Sequence, residues 1–152
     1  MTTPALIRCA ALALFFSALV LPRADAQTIP PVPPAQSKFD YQELARAPQK
    51  ARNRPNPLEN NPDAPGAGRK LFEKHCAECH GSDAAGTSKA PSLRAAEVRQ
   101  ATPGALFWLI TNGVVRKGMP VWSKLPEPQR WQLVRFLKSL GPPEPAPQPV
   151  LN

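Results

Sequence analysis

Three side chains that could do chemistry stand close together in the sequence Cys76-Ala77-Glu78-Cys79-His80. This Cys-x-x-Cys-His pattern is the attachment motif for c-type haem, in which both thiols bond to the porphyrin. At a helix end, the spacing places both sulfurs against the two vinyl groups, and the next residue directs its imidazole at the iron. The sequence therefore predicts one covalent haem c, attached through Cys76 and Cys79, with His80 as an iron ligand.

The same residues allow three other interpretations, namely a zinc site, a redox-active dithiol and a disulfide. A tetrahedral zinc site needs four ligands, whereas His75, Cys76, Cys79 and His80 fall within six residues and cannot comfortably surround one ion. A thioredoxin-type dithiol belongs to a βαβ context, which the sequence does not predict. Haem attachment is therefore the favoured interpretation.

A second axial ligand for the iron is sought among side chains with a lone pair, and downstream of residue 26 there is one methionine, Met119. Methionine is usually core filler, but Met119 stands between Gly118 and Pro120 in a predicted loop, 39 residues after His80. His75 directly precedes the first anchored cysteine on the same helical turn, so it cannot reach the other face of the ring. We predict Met119 as the sixth ligand and a surface position for His75.

Helices are predicted to position these groups, and the first of three leads into the haem motif. Asp63 and Pro65 suit its N-cap and its first turn. One face then carries residues at i, i+3, i+4 and i+8, which is the period of an α-helix. The members of this face are Gly68, Leu71, Phe72 and Cys76.

The other two predicted helices follow the haem motif. Thr102 and Pro103 signal the start of the second, and Gly113 is expected to end it in the left-handed region. The third starts near residues 126–128 and ends at Gly141. Its wide apolar face consists of Trp131, Leu133, Val134, Phe136, Leu137 and Leu140. No alternating strand pattern competes with these helices, so the predicted fold class is all-α.

Pro-rich segments flank the predicted helices, since 9 of the 21 prolines fall in residues 27–65 and 5 in residues 142–149. Segments with few apolar residues cannot offset the entropy lost on ordering. We therefore predict an extended tether over residues 27–65, a helical domain over residues 66–141 and a polyproline-like tail over residues 142–152. Inside the tether, the short stretch from Phe39 to Leu44 is expected to form a transient helical turn, with docking on the domain or on a partner as the alternative.

The first 26 residues have the pattern of a secretory signal. One positive charge precedes a small and apolar run from Cys9 to Leu21, and the segment ends in Ala24-Asp25-Ala26. The run has 13 residues, whereas spanning a bilayer takes about 17 to 25, so an uncleaved anchor is the weaker alternative. We expect cleavage after Ala26 and a periplasmic protein without a stable membrane span.

The exported chain would keep 17 Lys and Arg and 10 Asp and Glu, for a formal charge of +7, and residues 66–141 alone carry 12 basic and 5 acidic residues. Such a domain attracts acidic partners through a field that salt screens. We predict acidic redox proteins, and not nucleic acid, as partners. Basic residues beside the methionine or the haem motif are expected to surround the haem edge, unless they form only a solvated surface. They are Lys74, Lys89, Arg116 and Lys117.

Residues 66–141 resemble the class I c-type cytochromes in the order of their motifs. A Gly-x-x-x-Phe pair precedes CAECHG, and APSL, a helix opened by TPG, GMPVW and the closing RWQLVRFLKSL follow. The resemblance implies that the first and last helices cross closely, with Gly68 and Phe72 against Leu133 and Phe136. The expected fold is thus a small helical domain around one haem.

Two further site residues follow from this resemblance. The Pro91 carbonyl is expected to accept the Nδ1 hydrogen of His80, which would fix the ring and strengthen its donation to iron. Trp122 is expected either beside a haem propionate or in the core. Residues 102–140 are similar to small cytochromes that accompany periplasmic quinoprotein alcohol or sugar dehydrogenases, which implies such a donor and an oxidase or another cytochrome as acceptor.

Occupation of both axial positions by His80 and Met119 leaves no open position for a substrate. We therefore predict a one-electron carrier and not an enzyme. The alternative is a haem enzyme of the peroxidase or nitrite reductase type with a displaceable methionine, but Gly118, Pro120 and Val121 offer no acid or base. A four-helix gas-binding cytochrome fits less well, because its haem motif lies near the C-terminus.

Overall fold

A computed structural model describes residues 40–142, and that range is helical, with one isolated bridge between Val114 and Met119. The predicted all-α class is confirmed. The predicted signal segment and most of the predicted tail lie outside the described residues. The helices of the described range are α1 (Gln42–Ala45), α2 (Gln49–Arg52), α3 (Ala64–His75), α4 (Ala77–His80), α5 (Ala96–Gln100), α6 (Pro103–Asn112) and α7 (Glu127–Ser139), with a 3-10 turn at Val115–Lys117.

The three predicted helices correspond to α3 with α4, to α6 and to α7. Thr102 caps α6 as expected, since its hydroxyl accepts a hydrogen bond from the Ala105 amide at 3.3 Å. Asp63 occupies the N-cap position of α3, but its side chain makes no capping hydrogen bond. Gly113 ends α6 with the expected positive φ of 64°, but its ψ of −174° is extended and not left-handed helical. The chain therefore leaves α6 directly into the loop that carries Met119.

The helices α3 and α7 cross at close distance. A Cβ atom on Gly68 would lie 2.0 Å from the Gln132 carbonyl oxygen and 2.8 Å from the Phe136 Cβ, so only glycine permits this approach. The Phe72 and Phe136 rings pack with their centroids 5.2 Å apart, and Leu133 is buried in the same core. The close crossing implied by the family resemblance is therefore present.

The core lies where α3, α6 and α7 meet. Phe107 and Trp131 stack with ring centroids 4.0 Å apart, and the guanidinium groups of Arg54 and Arg130 each lie 4.7 Å from the centroid of the Phe107 ring. Full burial of a side chain such as Val134 stabilises the fold by about 1.5 to 3 kcal/mol. The buried cluster contains Phe72, Ala84, Val98, Leu106, Phe107, Ile110, Trp131, Leu133, Val134 and Leu137.

Residues 40–65 differ from the extended tether that was predicted for them. They form α1 and α2 and dock on the helical domain. The Asn56 side chain is buried and donates a hydrogen bond to the Trp131 carbonyl at 3.1 Å. The Tyr41 hydroxyl donates to the Ser92 carbonyl at 2.8 Å. The ordered domain therefore begins well before residue 66.

The physical reason is that this segment docks through polar side chains and close backbone contact more than through an apolar stripe. A Cβ atom on Gly104 would lie 1.9 Å from the Ala51 carbonyl oxygen, so α2 approaches α6 at the one place where α6 has no side chain. Leu44 and Leu58 add partly buried contacts to the core. A count of apolar residues alone underestimates such an attachment.

Candidate functional site

A cavity of about 690 Å³ lies between α3, α4, α6 and the loops that carry Pro91 and Met119. Its wall is mostly apolar and includes Phe72, Leu106 and Leu133. The structure brings all of the sequence-predicted site residues together on this wall. They are Cys76, Cys79, His80, Pro91, Met119 and Trp122.

Both cysteines lie on the short turn that follows α3. The helix is interrupted at Cys76, and α4 then continues to His80, with the His80 amide donating to the Cys76 carbonyl at 3.0 Å. Both thiols are free and half-buried. Burial, with a smaller contribution from Cys79, raises the pKa of Cys76 to about 11. A thiol with this pKa is protonated at neutral pH.

His80 is held by the hydrogen bond that the sequence predicted. Its Nδ1 lies 2.8 Å from the Pro91 carbonyl oxygen. Because a carbonyl only accepts, Nδ1 must carry the hydrogen, which leaves the lone pair of Nε2 free. Burial lowers the pKa of His80, and the Pro91 hydrogen bond opposes that shift in part. A neutral imidazole with a fixed tautomer is the form that ligates a metal.

The loop between His80 and Pro91 is closed by its own backbone. The Leu93 amide donates to the Ala84 carbonyl at 2.8 Å, and the Gly86 amide donates to the His80 carbonyl at 2.8 Å. Gly86 has a φ of 89°, and a Cβ atom there would lie 2.6 Å from the Ser92 nitrogen. This glycine thus allows the chain to fold back and place the Pro91 carbonyl beside the imidazole.

Met119 lies on a second loop, residues 113–122, which we call the methionine loop. Val114 and Met119 exchange two backbone hydrogen bonds, of 3.0 and 3.2 Å, and Gly118 makes the turn between them with a φ of 87°. The Trp122 amide donates to the Ile110 carbonyl at 3.2 Å and ties the end of the loop to α6. These bonds hold the partly buried Met119 on the wall of the cavity.

His75 corrects one expectation, because it is half-buried on the cavity wall and not on the free surface. Its ring lies 5.1 Å from that of Trp122, at an angle of 58° between the planes. The last turn of α3 carries His75 to the end of the methionine loop, and sequence distance gave no indication of that approach. Trp122, at the end of the methionine loop, therefore connects this loop to α3 at the edge of the cavity.

The basic residues of the methionine loop are not a free positive surface. Lys117 Nζ lies 2.8 Å from Asp40 Oδ1, and Arg116 lies 3.5 Å from Glu43. Lys89, on the same wall, lies 3.6 Å from the Glu78 carboxylate. The sequence analysis also did not place the segment before α2 at this site, although four of its residues, Asp40, Tyr41, Glu43 and Leu44, line the cavity.

Residues 40–142 contain neither a metal-binding cluster of acidic, histidine and cysteine side chains nor a helix that could span a membrane. Within that range no three side chains of His, Cys, Asp or Glu come together in an arrangement that could hold a metal ion, so the zinc interpretation gains no support. In the same range, no helix is both long enough and apolar enough to cross a membrane.

A known family matches the chain over the helical domain. The family model described as cytochrome c oxidase, cbb3-type, subunit III, matches residues 63–137. This range contains every predicted site residue. No curated protein matches the chain.

Solved structures give a likeness of fold. Cytochrome cL from the marine methylotrophic bacterium Methylophaga aminisulfidivorans is 24% identical, with a TM-score of 0.50, over 57% of this chain and 59% of that one. A further c-type cytochrome is 26% identical, with a TM-score of 0.44, over 49% of this chain and 96% of that one. The c-type cytochrome XoxG from Methylobacterium extorquens AM1 is 18% identical, with a TM-score of 0.43, over 49% and 48% of the two chains. The chain thus spans about three fifths of the length of the cytochrome cL that shares its fold.

Proposed function

Because this chain belongs to the class I c-type cytochromes, whose cofactor is a covalently bound haem c, we propose that it carries single electrons on a haem ligated by His80 and Met119. The observation that carries the proposal is the cavity of about 690 Å³, which has both cysteines, His80 and Met119 on one mostly apolar wall. When bound there, the haem supplies a centre that gains or loses one electron.

Each of the site residues has a defined part in this proposal. Cys76 and Cys79 hold the cofactor through thioether bonds, so it cannot dissociate. His80 presents Nε2 because the Pro91 carbonyl fixes the hydrogen on Nδ1. Met119 offers a neutral thioether, and together with the apolar wall it disfavours the extra positive charge of the ferric state. A relatively high reduction potential follows.

The haem-enzyme alternative is weaker, although the structure places two acidic groups, Asp40 and Glu43, near the methionine loop, where the sequence analysis had placed none. The Glu43 carboxylate lies on the cavity wall. It is already engaged by Arg46, Arg116 and Lys117, at 3.5, 3.5 and 3.7 Å. These ion pairs hold the Glu43 carboxylate at three basic side chains, so it is not free to serve as a catalytic acid or base.

The wider setting belongs to the same proposal. The signal pattern over residues 1–26 supports export, so we place the protein in the periplasm, cleaved after Ala26. Residues 102–140 are similar to cytochromes that serve quinoprotein dehydrogenases, which supports a donor of that kind and an oxidase or a second cytochrome as acceptor. The four basic residues near the site suit acidic redox proteins. Trp122 packs against the core, and we propose that it also lies beside a haem propionate.

The experiment that tests covalent attachment is acid-acetone extraction of the purified holoprotein. The colour of the wild type should stay in the protein pellet, because thioether bonds survive denaturation. The double variant Cys76→Ala/Cys79→Ala should either lose its colour to the solvent or assemble none. Colour released from the wild type would contradict the proposal.

A further inference from the structure

The acidic segment, which we define as residues 40–44, lies against the methionine loop. Asp40 Oδ1 lies 2.8 Å from Lys117 Nζ, and Glu43 Oε1 lies 3.5 Å from Arg116 and 3.7 Å from Lys117. Two carboxylates thus neutralise the two positive charges that stand nearest to Met119 in the sequence. The charge that an approaching molecule meets here is much smaller than the composition of the domain indicates.

The acidic segment is anchored at its middle and exposed at its start. Tyr41 and Leu44 pack against the core, and the Tyr41 hydroxyl donates to the Ser92 carbonyl. The Glu43 side chain is 15% exposed, whereas those of Asp40 and Lys117 are 52% and 45% exposed. The Asp40 pair therefore lies in water, while Glu43 is held against the protein.

The small free energy of these ion pairs indicates that the carboxylates of a partner can replace those of the acidic segment. Exposed ion pairs contribute about 0 to 1 kcal/mol each, because water screens them and two long side chains must be ordered. The helix of this segment, α1, has four residues and no buried residue, so it gains little stability of its own. An acidic partner that contacts Arg116 and Lys117 would replace these pairs by similar ones.

We propose that the acidic segment is an internal ligand of the methionine loop, which an acidic redox partner displaces or outcompetes when it docks at Arg116 and Lys117. This inference rests on the proposed electron-carrier function. The segment would lower the rate of encounter with acidic molecules in the free protein. It would also disfavour molecules that bind the loop too weakly to displace it.

The test is stopped-flow oxidation of the reduced holoprotein by ferricyanide, a small anion that takes one electron and becomes ferrocyanide. The variant Asp40→Asn/Glu43→Gln uncovers the two basic residues without a large change of shape. The control Asp63→Asn/Glu97→Gln makes the same change in net charge. Asp63 and Glu97 are exposed, form no ion pair among the described residues and do not line the cavity.

We expect oxidation by ferricyanide to be roughly threefold to tenfold faster in the first variant than in the control at low ionic strength, at the lower end of electrostatic steering. The difference should vanish as salt shortens the Debye length. The cationic oxidant tris(phenanthroline)cobalt(III) should show the opposite order. Asp40→Asn alone, at the more exposed position, should show a smaller change of the same sign.

Equal rates in the two double variants would overturn the inference, because only net charge would then matter. A wild type that transfers no electron to either oxidant would contradict the proposed function, and the inference with it. Melting curves of all the variants identify any variant that does not fold, and the single substitution of the exposed Asp40 then decides the matter.

Discussion

The surroundings of His80 and of Met119 are built in different ways. His80 lies on a helical turn and is fixed by a carbonyl only eleven residues away, within a loop that closes on its own backbone. Met119 lies on a loop that is closed by two backbone hydrogen bonds, tied to α6 through Trp122 and covered by ion pairs from residues far earlier in the chain. The first arrangement is local and rigid, whereas the second depends on distant parts of the sequence. Under the proposed function, the first construction would hold an iron ligand in place, and the second would present a surface to redox partners.

The largest difference between the two regions should appear when their turn glycines are replaced by alanine. Gly86 and Gly118 both have positive φ, so each substitution adds about 1 kcal/mol or more of backbone strain. At Gly86 the new Cβ would also lie 2.6 Å from the Ser92 nitrogen, whereas at Gly118 it would meet nothing within 4 Å. We expect Gly86→Ala to lower the free energy of unfolding by about 3 kcal/mol and Gly118→Ala by about 1 kcal/mol.

Denaturant unfolding of the two holoproteins measures this difference directly. The reduction potential should also change more in Gly86→Ala, because the Pro91 carbonyl that orients His80 follows the displaced loop. Equal losses of stability in the two variants would contradict the view that the His80 region is the more tightly built.

The sequence predicted the His80 region almost completely and the Met119 region only in part, and the reason is chain distance. The Cys-x-x-Cys-His motif and Pro91 lie within sixteen residues, so a motif and a family resemblance sufficed. The partners of Arg116 and Lys117 are Asp40 and Glu43, more than seventy residues earlier. The spacing of apolar residues along a helix carries no information about contacts between residues so far apart.

The same limit explains the errors over residues 40–65 and at His75. The helices α3, α6 and α7 were predicted from local signals, namely their cap residues and, for α3 and α7, the spacing of apolar residues along one face. The attachment of residues 40–65 depends on single polar contacts, such as that of Asn56 with the Trp131 carbonyl. The approach of His75 to Trp122 depends on how α3 is oriented toward the methionine loop, which only the packed fold defines.

Replacement of Asn56 is expected to have an effect of intermediate size on stability. Its buried side chain accepts from the Leu58 amide and donates to the Trp131 carbonyl, so Asn56→Ala removes both of these hydrogen bonds. We expect a loss of about 1 to 3 kcal/mol in the free energy of unfolding. Because Asn56 does not line the cavity, the visible spectrum should stay unchanged. A spectral change without a loss of stability would contradict this division between attachment and site.

The smallest predicted effect concerns pH and the acidic segment. The hydrogen bond from Lys117 is the main cause that lowers the pKa of Asp40 below its ordinary value of 3.8. Because the pKa of Asp40 is lower in the folded protein than in the unfolded chain, the contact stabilises the fold at pH values above the unfolded pKa. This stabilisation is lost as the pH falls through the folded pKa. The Asp40 contact should therefore be complete at neutral pH and disappear only below about pH 4.

An NMR titration of the Asp40 carboxyl in the wild type and in Lys117→Gln measures this effect. The variant should show a higher pKa, with Lys124→Gln as the control, since Lys124 does not contact Asp40. An unchanged pKa in Lys117→Gln would show that the pair does not form in solution, which would weaken the contrast between the two regions.

Carbon monoxide binding by the ferrous holoprotein tests the central claim, ligation by both His80 and Met119, most directly. The wild type should show little change of spectrum with carbon monoxide, because the Met119 sulfur occupies the position that the gas would take. Met119→Ala should bind it readily and lose the weak long-wavelength band of ferric, methionine-ligated haem. Rapid binding by the wild type, or identical spectra of wild type and variant, would contradict the claim.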